Sequence, residues 1–222
     1  MNIQLASDLH LEFIAHEGEQ VRVIEPAPGA DLLVLAGDIH LGTQAIDHFR
    51  EWPVPVLYVA GNHEFYNHHW ERTRADLRDV CAGSNIHFLD NSEFEFQGVR
   101  FLGSTLWTDF RLPGRSQVEW MRNVDRGLAD ARAIRTTHGR FNSRQSLADH
   151  QASHHWLQGE LLKEFAGPTV MVTHHGPHPK SIHPKWADDP VSAGFVSDLE
   201  TLMAHADLWL HGHVHDSFDY PS

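Results

Sequence analysis

Twenty histidines in 222 residues are several times what an ordinary globular chain carries, and neutral imidazole is the commonest side-chain ligand of divalent metals. Six of them stand in short motifs, Asp8-Leu9-His10, Gly61-Asn62-His63-Glu64, His174-His175 and Gly212-His213-Val214-His215, and Gly37-Asp38 adds a further carboxylate. Residues i and i+2 of an extended segment point the same way, so Asp8 with His10, and His213 with His215, can each grip one ion. Oxygen and imidazole donors without thiolate suit Mn, Fe, Zn or Co better than Ca or Cu(I). The single cysteine, Cys81, excludes an internal disulfide framework, a Cys-based zinc site and an iron–sulfur cluster. It is also the basis for expecting a reducing, cytoplasmic setting.

Each motif follows a short apolar run, and the runs alternate with helix-like segments, the rhythm of an α/β domain. The pattern predicts strands over 3–6, 31–36, 54–60, 99–103, 169–173 and 207–210, with a hairpin turn near Gln97-Gly98. In a largely parallel sheet the carboxyl ends of the strands share one edge, where ligands bind in open α/β folds. The five motifs are therefore expected to converge. Gly37, Gly61 and Gly212 precede ligand-type residues, where the chain must turn sharply and pack closely. Trp70, Arg74, Leu77 and Cys81 keep helical spacing, with Gly83 as a stop. Val118, Met121, Val124, Leu128 and Ala131 form a second apolar stripe, and a third helix is expected to start at Asn142 or Ser143 and run through Leu161. The expected organisation is one domain over 1–222 with a helical insertion at about 109–166.

Taken in order, D-x-H, G-D, G-N-H-D/E, H and G-H-x-H, this set resembles the calcineurin-like metallophosphoesterases, and the resemblance spans Asp8 to His215. It implies an α/β (α+β) fold, a two-layer β sandwich flanked by helices, with two divalent metal ions at one edge. It implies that Asp8, His10 and His215 hold one ion, that Asn62, His174 and His213 hold the other, and that Asp38 bridges both. The implied activity is metal-dependent hydrolysis of a phosphate mono- or diester by a hydroxide activated between the two metals. With only two carboxylates, Asp8 and Asp38, the loaded site stays cationic, which suits such an ester. Asp38, Asn62 and His63 are then the catalytic candidates, His63 protonating the leaving alkoxide or stabilising the transition state. Glu64 is expected to orient a neighbouring imidazole, and His175 is a candidate substrate contact.

The alternative is a catalytically silent scaffold of the same fold. Such a protein should have lost a ligand or the catalytic histidine, and here all are present. Other hydrolase classes fit less well. His211-x-His213-x-His215-Asp216 departs from the metallo-β-lactamase H-x-H-x-D-H because His215 occupies the acidic position. His63-Glu64 lacks the second zincin histidine, and no G-x-S-x-G occurs.

The net charge of −13 argues against a uniformly basic, nucleic-acid-coating surface. Yet residues 111–144 hold eight arginines opposed only by Glu119, Asp125 and Asp130, a local charge of about +5. Arg122 and Arg126 share a helix face, which makes them candidate contacts for further phosphates of a nucleotide or nucleic-acid end. Trp107, Phe110 and Phe141 are read as core aromatics. No stretch approaches the ~20 apolar residues of a membrane span, so no membrane partner is expected. The start lacks the basic n-region of a signal peptide. The chain ends seven residues after His215. The resemblance implies further strands there, so a shortened C-terminus is expected, with an exposed sheet edge through which copies self-associate.

Overall fold

Leu32, Val34 and Ala36 point to one face of their strand and Leu33 and Leu35 to the other, and all five are buried. A strand that is apolar on both faces needs cover on both sides. The structure, a computed structural model that describes residues 1–14 and 24–221, supplies it with four layers, helices outside and two sheets inside.

The chain runs β1 (Ile3–Ala6), β2 (Leu32–Ala36), α1 (Ala45–Phe49), β3 (Val56–Val59), α2 (Trp70–Cys81), β4 (Ile86–Phe88), β5 (Ser92–Phe96) and β6 (Val99–Ser104). It continues with α3 (Gln117–Gly127), α4 (Asp130–Ala133), a small β7 (Arg135–Thr136) and β8 (Gly139–Arg140) hairpin, α5 (Ser143–Leu161), β9 (Thr169–Thr173), α6 (Glu200–Met203) and β10 (Leu208–His211). The first sheet has the order β1-β2-β3-β4, all parallel. The second has the order β10-β9-β6-β5, parallel except for the β5–β6 hairpin. That hairpin turns on Gln97 and Gly98, both with positive φ, as a two-residue turn between twisted strands requires.

Between the sheets, Leu32, Val34, Leu57 and Val59 meet Phe101, Val170 and Val172. The outer face of the first sheet packs Leu33, Leu35 and Tyr58 against Ile46 and Phe49 of α1 and Leu77 and Cys81 of α2. The outer face of the second packs Leu102 and Met171 against Leu157 of α5 and Leu202 of α6. Parallel strands bring the carboxyl ends of β1, β2 and β3, and of β6, β9 and β10, to one end of the sandwich.

The expected strands are all present, with bounds within two residues of those predicted. The strand β4 was not expected: it has three residues, and His87 interrupts its apolar character. The stripe from Val118 to Ala131 is not one helix. The helix α3 starts in a Ser116–Glu119 capping box and ends at Gly127, and Leu128 leaves the helical region at ψ 154°. A Cβ on Gly127 would lie 2.4 Å from Val191, so this end is fixed by close packing. The buried face of α3 is Trp120 and Val124, while Val118 is exposed. The N-cap of α5 is Asn142, whose side chain accepts from the Arg144 amide. The edge strands are β1 and β4 of the first sheet and β10 and β5 of the second, and Leu5 of β1 and Leu208 of β10 are exposed. No helix among the described residues is long and apolar enough to cross a membrane.

Candidate metal centre

The loops after β1, β2, β3, β9 and β10 meet at the end of the sandwich and are stitched to one another by backbone hydrogen bonds. The Asp8 amide donates to the Gly37 carbonyl, the His10 amide to Asp38 and the Gly212 amide to His174, each at 3.0 Å. Asp8, His10, Asp38, His213 and His215 all adopt left-handed backbone, with φ between 46 and 69°. For non-glycine residues this costs about 1–3 kcal/mol each and is kept only where the surroundings enforce it, typically at functional sites. Two glycines make room. A Cβ on Gly37, which itself has φ +86°, would lie 2.3 Å from His174 Nδ1, and one on Gly61 would lie 2.1 Å from Asp38 Oδ1.

Three groups of donor atoms result: two share Asp38, and the third joins His10 with Glu12 and His63. Asp8, His10, Asp38 and His215 converge within 4.8 Å, and so do Asp38, His174 and His213. In the first group His215 Nε2 lies 3.3 Å from Asp8 Oδ1 and 3.2 Å from His10 Nε2. In the second, His174 Nε2 lies 3.4 Å from Asp38 Oδ1, 3.0 Å from His213 Nδ1 and 3.2 Å from Asn62 Oδ1. His63 stands beside both: its amide donates to Asp38 Oδ1 at 2.8 Å, and its Nε2 is 4.0 Å from Asp38 Oδ2. Every metal-ligand candidate of the sequence, and His63, is thus in one cluster.

The electrostatics call for positive charge. Burial pushes the Asp38 carboxyl up, but the charge of His174 and its hydrogen bond, with His63 and His213, outweigh it and hold Asp38 well below the ordinary carboxylate range. Burial would lower His174, yet Asp38 and Asp8 raise it to about 10. Asp8 is lowered in the same way, its burial overcome by the His215 hydrogen bond. Burial, with His175 and His174 nearby, drives His213 well below its ordinary value, and its buried Nε2 has no hydrogen-bond partner among the described residues. Converging imidazole, amide and carboxylate atoms with no sulfur fit borderline divalent cations.

A model of the calcineurin-like phosphoesterases matches residues 1–217. The chain belongs to this family. It is 24% identical to the uncharacterized protein L509 of Acanthamoeba polyphaga mimivirus, in a match covering 96% of this chain and 84% of that protein. Among solved structures it is similar to the phosphopantetheinyl hydrolase of Mycobacterium tuberculosis, with a TM-score of 0.69 at 16% identity over 99% of this chain and 85% of that one. It also matches a dimetal phosphatase from Danio rerio, with a TM-score of 0.46 at 18% identity over 96% of this chain and 81% of that one.

Around the centre of this calcineurin-like phosphoesterase stand residues that the sequence did not single out. Glu12 Oε1 lies 2.7 Å from His63 Nδ1 and 3.3 Å from His10 Nδ1. Burial raises this carboxyl, but the two histidine hydrogen bonds bring it down to about 2. The Asn62 amide nitrogen donates to Asp130 Oδ1 and to the Tyr66 hydroxyl, both at 3.0 Å, and Tyr66 itself donates to Asp130 at 2.6 Å. This holds the Asn62 oxygen toward His174. Asp130 arrives from α4, 68 residues away in sequence.

Three expectations change. Glu64 orients no imidazole. It is fully buried and accepts from the amides of Asp38, Ile39 and Gly61 and from the Tyr58 hydroxyl, so it fixes the backbone of the two loops. His175 is enclosed instead of standing at the rim. Its ring is buried with Nδ1 against the Thr105 carbonyl at 3.1 Å, packs 4.3 Å from His213, and is lowered to about 3 by burial and by His174. Arg122 and Arg126 are both exposed on α3 and make no side-chain hydrogen bond or ion pair with the residues of the cluster among the described residues.

Proposed function

We propose that this chain is a dinuclear metal-dependent phosphohydrolase that cleaves a phosphate mono- or diester. The observation that carries the reading is the Asp38 carboxylate shared by two donor groups, with the His63 ring beside it. Asp8, His10, Asp38 and His215 would hold one ion, and Asp38, Asn62, His174 and His213 the other. When bound, such ions supply Lewis-acid polarisation of the phosphoryl group and lower the pKa of water. Mn, Fe, Zn and Co all suit the donor set.

The remaining work falls to the chain's own groups. Glu12 accepts from His63 Nδ1, which fixes the Nδ1–H form and leaves Nε2 free to take up a proton; the imidazolium so formed gives that Nε2 proton to the leaving oxygen and returns to the neutral ring. The Asp38 carboxylate keeps the His63 loop close through the His63 amide. Asp130 and Tyr66 keep the Asn62 oxygen, not its nitrogen, turned inward. The relative acting on phosphopantetheinyl groups adds one candidate substrate class to be screened, and the cytoplasm is the proposed setting on the strength of the lone buried thiol, Cys81.

The test is reconstitution with each of the four metals, followed by assay of p-nitrophenyl phosphate, bis(p-nitrophenyl) phosphate and p-nitrophenyl phenylphosphonate. Metal-dependent release of p-nitrophenol that is abolished by a chelator is expected, and the preferred ester assigns mono- or diesterase. A fully loaded protein that turns over none of the three esters contradicts the reading.

A further inference from the structure

Beside His213 and His215 the surface opens into a cleft of about 440 Å³. That is the size of a small-molecule site and exceeds the needs of a phosphate group alone. Ile182, Val191, Phe195 and Val214 line it. All four are half-buried and packed from behind on the cluster of Phe110, Trp120, Val124 and Val196, so the faces they leave to the cleft are held in place. The Phe195 ring stacks on His213 at 4.6 Å and 26° between planes, so the apolar wall begins at the metal centre itself. Trp186 also lines the cleft and is 52% exposed, with the Lys185 ammonium 5.2 Å from its ring centroid.

The charges of the cleft argue against a polyanionic occupant. Away from the metal centre, Lys185, Asp189 and Asp216 also line it, with the His183 imidazole. One ammonium against two carboxylates offers no built site for further phosphates, and the arginines of α3 do not line the cleft. A fixed, partly open apolar wall next to a polar centre is the usual form of a site for an organic group.

We propose that this cleft receives the organic group of the ester and that it selects an uncharged aromatic group. The proposal rests on the phosphoesterase reading, and the test separates the two. Calorimetric titration of the Mn-loaded protein would compare inorganic phosphate, methylphosphonate and 2-naphthylmethylphosphonate. The naphthyl compound is expected to bind at least tenfold tighter than methylphosphonate, about what burial of two methylene equivalents supplies. Trp186→Ala, at an exposed position, should bring that ratio down to about threefold or less, and Ile182→Ser should lower it independently. Equal affinity for the two phosphonates overturns the cleft assignment while leaving the phosphoesterase reading standing. Failure to bind phosphate and both phosphonates overturns the phosphoesterase reading and the cleft assignment with it.

Discussion

Glu12 holds two imidazoles at once, those of His63 and His10, and the consequences of that arrangement can be measured one residue at a time. His63→Asn is expected to keep the bound metal and a KM near wild type, while kcat falls by roughly 10²–10⁴, the range for loss of a general acid. The loss should shrink for a good leaving group such as p-nitrophenol, which needs no proton. A loss independent of the leaving group would remove the acid role. Glu12→Gln keeps the shape but removes the anionic acceptor. It is expected to lower kcat by a smaller factor, with the same leaving-group dependence, and to add little in the His63→Asn background, since the two act as a unit. Additive losses in the double variant would separate Glu12 from His63. At this scale the motif residues were legible because each follows directly on a strand. Glu12, Tyr66 and Asp130 were not, because their partners lie 51, 64 and 68 residues away and only the folded chain joins them. Glu64 was misread for a related reason: its acceptors face backbone amides, which no sequence motif marks.

At the scale of elements, α4 is a four-residue helix whose Asp130 fixes the amide of Asn62. Burial raises the Asp130 carboxyl, against the hydrogen bonds from Tyr66 and Asn62. Asp130→Ala frees the amide to turn, and it is expected to weaken one of the two metal sites by about 10–100-fold, the usual effect of losing a residue that orients a ligand. The other site, which Asn62 does not serve, should keep its affinity. Calorimetric metal titration resolves the two, and unchanged binding at both would show that Asn62 needs no such support. Strands were readable here because both faces are buried and the runs are nearly all apolar, as in β2 and β9. The break between α3 and α4 was not readable, because it is set by Gly127 packing against Val191, a residue from a distant loop.

For the whole molecule, the two sheets act as the platform from which the loops project. Leu57 and Val59 of β3 and Val170 and Val172 of β9 are buried between them. Leu57→Ala is expected to cost about 2–5 kcal/mol, as large-to-small changes in closed cores do, read by urea unfolding. A cost under ~1 kcal/mol would mean that the interior between the sheets is loosely packed. The folded variant should still bind metal, because the donor residues lie beyond the strand ends and not in the interior.

If Asp38 joins two cation sites, counting the bound ions shows it. The measurement is metal content by mass spectrometry of wild type and Asp38→Asn, each reconstituted with Mn and desalted under the same conditions. The two donor groups sharing Asp38 predict two ions per chain in the wild type and loss of bound metal in the variant, greater than for any single histidine replacement. A wild-type protein that holds one ion or none, or an Asp38→Asn variant that retains two, would contradict it.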